Sequence, residues 1–157
     1  MKADGFLRTI TSLMNRREFE QLRDLPDKRV SADIVWTAPR DGKPNLIFEQ
    51  VELENSLGLD VVINGTFKPD IPSVTFNFVL RGVGPICRVD VNGTIHGDAG
   101  RTHKHDLRRE TDPRNSVPTA VARADLEGKS ARGVWNDLCE RAKIEHAGTF
   151  SDPQGGG

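Results

Sequence analysis

Val74, Phe76, Phe78 and Leu80 alternate with Thr75, Asn77 and Val79 without a break. Successive side chains of a strand point to opposite faces, so this run has one apolar face to bury and one polar face to leave wet. That pattern predicts an antiparallel sheet covered on one side only. Leu46, Phe48, Val51 and Leu53 form a second run whose parity breaks near Gln50, the mark of a β-bulge. Leu59, Val61 and Ile63 alternate with Asp60, Val62 and Asn64 in a third. Reversals are supplied by PRDGKP at 39 to 44, by Asn55 to Gly58 and by Pro69 to Pro72. An imperfect alternation from Val30 to Trp36 and the stretch Ala120 to Leu126 are read as further strands. The period-two runs predict about five to seven strands in one meander.

The period changes toward the ends. Phe6, Ile10, Leu13 and Met14 recur at helical spacing and give a short amphipathic helix whose stripe would dock on something larger. Asn15 and Glu18 form a capping-box start for a helix carrying Phe19, Leu22 and Leu25 and stopped at Pro26. Near the other end Ser130 caps a helix in which Val134, Leu138 and Ala142 share a face with Trp135 and Cys139, closed by Ile144. His146 is read as a cation on the C-terminal side of that helix. Trp36 and Trp135 are expected in the core. The expectation is an α+β fold: a single domain over 1–150, an antiparallel sheet with an N-terminal helical segment and a C-terminal helix packed on it. Residues 1–13 would be an optional extension, because Met14 can start the chain, and 151–157, ending in three glycines, a disordered tail.

Charge narrows the function classes. Lys and Arg number 22 against 23 Asp and Glu, so no global basic excess advertises nucleic acid and there is no DNA signature. No apolar run approaches the roughly 20 residues of a membrane helix. Cys87 and Cys139 fall in apolar patterns with no secretory signal ahead of them, which predicts reduced core thiols and a cytoplasmic protein. P-loop, dinucleotide-binding, C-x-x-C, G-x-S-x-G and H-E-x-x-H motifs are missing, and no cofactor is expected.

The polar residues with a regular spacing lie between Cys87 and Arg109. If 87–93 is a strand, Arg88, Asp90 and Asn92 share one face and Cys87, Val89 and Val91 the other. Asn92-Gly93 is a turn dipeptide, and a second strand through THKHDLR would put His103 and His105 on a common face. A register setting Asn92 opposite His103 would set Asp90 opposite His105 and Arg88 opposite Leu107, with His96 in the loop above. A slip by one residue would scatter the cluster. The irregular stretch at 110–119 would be a loop beside it.

Three parts of the chain, REFEQLRDLPDKRV at 17–30, the R-x-D-x-N-G end of Arg88, Asp90, Asn92 and Gly93, and the following His96, His103 and His105, resemble small bacterial proteins of unknown function from toxin–antitoxin and phage-defence neighbourhoods. The resemblance covers most of the chain from about Met14 and implies a compact domain with the histidine hairpin as its working part.

Three chemistries fit that hairpin. Cleavage of RNA through its own 2'-hydroxyl needs a base, an acid and a cation for the phosphate. His103 and His105 would be the acid–base pair, with His96 above them and Asp90 orienting an imidazole, while Arg88, Asn92, Arg101, Lys104 and Arg108 would hold substrate. With the resemblance, this implies a toxin-like or defence-associated protein acting on RNA or a nucleotide without metal. The same histidines with Asp90 also meet the ligand types of a zinc site. The alternative is a non-enzymatic module, an antitoxin, inhibitor or phage-encoded blocker, whose polar strand face binds a protein partner.

Overall fold

The computed structural model describes residues 14–92, 102–106 and 120–153. Its first helix, α1 (Arg16–Asp24), opens on the expected capping box: Asn15 Oδ1 accepts from the Glu18 amide at 2.8 Å and Glu18 Oε1 accepts from the Asn15 amide at 3.1 Å. Such a cap stabilises a helix start by about 1 kcal/mol. Pro26 follows the C-terminal cap Leu25. The open carbonyls there are taken by Lys28 Nζ, which donates to Leu22, Arg23 and Leu25 at 2.6 to 2.7 Å and is buried for that purpose.

Eight strands follow the helix among the described residues: β1 (Lys28–Val30), β2 (Leu46–Leu53), β3 (Val61–Lys68), β4 (Ser73–Leu80), β5 (Gly84–Val91), β6 (His103–Asp106), β7 (Ala120–Ala122) and β8 (Ile144–His146). Strands β2 to β7 are hydrogen-bonded in sequence order and every neighbouring pair is antiparallel. The second helix, α2 (Ala131–Ala142), begins at Ser130, whose Oγ accepts from the Gly133 amide. The fold is α+β, with both helices packed on one face of the sheet.

Register places the apolar residues of successive strands in line. Ile63 pairs with Phe78, Phe67 with Val74, and Phe76 with Val89, all buried. Phe19 and Leu22 of α1, and Val134, Trp135 and Leu138 of α2, join the same core. Trp36 and Trp135 are both in it; Trp36 meets Phe48 edge-on at 4.9 Å, and its buried Nε1 has no hydrogen-bond partner. The bulge expected near Gln50 is present: register shifts between Phe48 and Val51, and Gln50 takes φ +60°.

Four local expectations are corrected. Val30 to Trp36 is not a strand of the meander; only Lys28–Val30 is extended, and it pairs in parallel with β8 as a separate two-stranded sheet. Beyond it, Ile34 bridges to Phe150 and Thr37 to Ile47. Ala120 to Leu126 divides into the short β7 and a 3-10 turn over Ala124–Leu126. Ile144 does not close α2: Lys143 takes the left-handed conformation after Ala142, and Ile144 starts β8. His146 is accordingly a strand residue and not a helix-end cation. At the C-terminal end the Ser151 amide donates to the Ile34 carbonyl and Asp152 pairs with Arg132, while 154–157 and the helix expected within 1–13 lie outside the described residues.

Candidate functional site

The face of the sheet opposite the helices carries the polar positions of β3, β4 and β5. Alternation dictates the set: Phe76 and Phe78 must face the core, so Thr75 and Asn77 cannot. Register aligns Thr66, Thr75 and Asp90 in one cross-strand row and Asn64, Asn77 and Arg88 in the next. Cross-strand neighbours on one face lie about 4.5–5.5 Å apart at Cβ, close enough for short polar side chains to meet.

They do meet around Asp90. Thr75 Oγ1 donates to Asp90 Oδ1 at 2.7 Å, and Arg88 Nε donates to Oδ2 at 3.0 Å. The Asp90 side chain is 10% exposed, so both oxygens are fixed in a poorly solvated place, where a hydrogen-bonded ion pair is directional and breaking one partner is costly. Asn64 is occupied, its Oδ1 accepting the Gln50 amide at the bulge, whereas the buried Oδ1 of Asn77 has no hydrogen-bond partner.

β6 lies on the far side of β5. Asp90 pairs with His103, Val89 with Lys104, Arg88 with His105 and Cys87 with Asp106. The register therefore differs by two residues from the one considered above, which set Asp90 against His105. A two-residue displacement preserves strand parity. Positions 103 and 105 thus fall on the Arg88/Asp90 side, and Lys104 lines a cleft on the helix-covered side with Cys87 and Val89.

The expected site residues are consequently divided. Arg88 and Asp90 are brought together, and His103 and His105 stand at paired backbone positions. Lys104 is on the other face. Asn92, at φ +60°, holds structure: its Nδ2 donates to the carbonyls of Ile71 and Pro72, and its amide donates to Thr102 Oγ1. His96, Arg101 and Arg108 lie outside the described residues. Among the residues whose side chains are described, no three His, Cys, Asp or Glu gather as a metal set would. Thr75 and Asn77 were not singled out from the sequence, although their alternation with Phe76 and Phe78 was the signal that could have found them.

No helix among the described residues is long and apolar enough to cross a membrane. No family model, curated protein or solved structure matches the chain.

Proposed function

We propose that the chain acts as a single α+β domain whose polar sheet face cleaves a phosphodiester in RNA or a nucleotide by metal-independent acid–base chemistry, in the manner of a toxin or defence protein. The observation that supports the reading is the pairing of Asp90 with position 103 and of Arg88 with position 105. An imidazole beside a fixed carboxylate is held in one tautomer and its cation is favoured, which suits general base and acid work near neutral pH. A guanidinium one strand position away neutralises phosphate charge in a fixed geometry. In this reading His103 and His105 exchange the proton, Asp90 orients His103, Thr75 orients Asp90, and Arg88 shares its charge with the substrate. The buried acceptor of Asn77 supplies a hydrogen bond to a donor on the ligand.

The test is cleavage of single-stranded RNA at neutral pH with chelator present. The wild type should generate 2',3'-cyclic phosphate ends, and His103→Ala and His105→Ala should each lose about 10²- to 10⁴-fold, the usual worth of a positioned acid or base. Wild type and His103→Ala cutting equally, or an inert wild type, would remove this function.

A further inference from the structure

The helix-covered side of the sheet contains a cleft that the proposed chemistry does not use. It lies between α1, α2 and strands β4 to β6, encloses about 700 Å³ counted out to its mouth, and keeps about 80 Å³ of open space within. Leu22 from α1, Phe78 and Ile86 from the sheet, and Val134 and Leu138 from α2 are among its walls. Well-packed interiors keep few voids of that size, and side chains facing one forgo the van der Waals contacts that a neighbour would give. A hydrocarbon guest restores those contacts and asks no hydrogen bond of the walls.

The cations along the cleft are already answered. Arg23 donates twice to Asp24, and Lys28 is committed to the carbonyls ending α1. Arg123 and Arg141 are held by Asp125 and Asp137, and Lys104 is engaged as well. A charged ligand would surrender its hydration there without meeting an unpaired partner among these side chains, and taking an uncompensated charge out of water is costly. The occupant that suits the cleft is therefore uncharged. Phe19 lines it from α1 and Phe78 from β4, so a flat ring finds an aromatic neighbour on the helix side and another on the sheet side. An apolar cavity of about 150 Å³ closes round benzene. With about 80 Å³ inside and an open mouth, this one takes a single ring with one edge toward solvent.

We infer that this cleft binds a small uncharged molecule with a single aromatic ring, the ring lying among Phe19, Phe78, Ile86, Val134 and Leu138. The site is independent of the Asp90 face, because alternation in β4 and β5 puts Phe78 and Val89 on one side of the sheet and Thr75, Arg88 and Asp90 on the other. The experiment is fluorine NMR of fluorobenzene, below its solubility limit, with the full chain at neutral pH. One fluorobenzene should bind per chain, and toluene should displace it. Benzoate and benzylammonium carry the same ring with a charge, and each should need about tenfold more to displace it, because neither charge finds a free partner. Leu138→Phe, filling the cleft, should abolish binding; if it does not fold by circular dichroism, Ile86→Phe carries the same expectation. Absence of saturable fluorobenzene binding, displacement by benzoate or benzylammonium as readily as by toluene, or binding unchanged in the folded cleft-filling variant would each overturn the inference, whatever the RNA assay returns.

Discussion

Trp135 Nε1 donates to His146 Nδ1 at 3.1 Å, across the junction between α2 and the small parallel sheet. An indole nitrogen can only donate, so Nδ1 is the acceptor and the ring carries its proton on Nε2. Nε2 lies 3.0 Å from the carbonyl of Ala32 and donates to it. The rings also meet edge to face at 5.5 Å. The imidazole thus ties the helix to the bend after β1, and Trp135, 1% exposed, holds its indole donor in the core.

His146→Phe should therefore destabilise the fold by about 1–3 kcal/mol, the cost of a buried donor left unpaired. Urea unfolding followed by tryptophan emission measures it, with the slope unchanged so that midpoints compare directly. A loss below about 0.5 kcal/mol would mean that the hydrogen bond has little net worth.

Gly65 lies on the core face of β3, opposite Phe48 on one side and Phe76 on the other. A Cβ built there would enter the Phe48 ring. The sequence shows a glycine in the interior of a strand, which weakens a strand unless something approaches closely; here the aromatic ring takes the space. Gly65→Ala should cost about 1–3 kcal/mol as overpacking. The penalty should shrink in the Phe48→Leu background, and a double-mutant cycle by thermal or urea unfolding reads the coupling. Additive effects would show that the ring is not what forbids the methyl group.

How far the sequence went follows from the range of each signal. The meander, the bulge at Gln50 and both helix caps were legible because alternation and capping boxes are local, involving residues within a few positions of one another. The parallel pairing of Lys28–Val30 with Ile144–His146 was not, since it joins segments more than a hundred residues apart that carry no turn signal between them. The division of Ala120–Leu126 was hidden for a different reason: Leu126 enters the core from a 3-10 turn as readily as from a strand. At the candidate site, strand parity grouped Arg88 with Asp90, but two-residue registers are indistinguishable by parity, so the pairing of His103 with Asp90 could not be read off. Lys104, expected to hold substrate, sits between the two histidines in sequence, and alternation puts it on the other side of the sheet.

Both thiols should be inert in the folded protein. Cys87 is buried and Cys139 half-buried, neither in a disulfide. Burial pushes the Cys139 thiol up to about 12. The thiolate is the nucleophile, and at pH 8 about one Cys139 in ten thousand would be ionised. Ellman's reagent should therefore label neither cysteine within minutes under native conditions and both in denaturant. Prompt labelling of Cys139 in the native protein would place that helix face in water.

The ion pair between Arg123 and Asp125 gives the chain an acid limb. The Arg123 guanidinium donates two hydrogen bonds to Asp125, at 2.8 and 2.9 Å, and one to Asp137 at 3.0 Å. The two bonds from Arg123 to Asp125, with the guanidinium charge, hold the Asp125 carboxyl down to about 2 from an ordinary 3.8. A folded value below the unfolded one means that the unfolded chain binds protons first as pH falls. The contribution is complete above about pH 4 and is lost progressively as pH drops from there toward 2. Because Asp125 is exposed, solvent and salt screen the pair, and the effect should weaken as ionic strength rises. Urea midpoints measured at intervals from pH 7 to pH 2 should fall less steeply in Asp125→Asn than in the wild type over that acid window, with the two curves parallel above pH 5. A constant offset between the two proteins across the whole range would show that Asp125 contributes by something other than its charge.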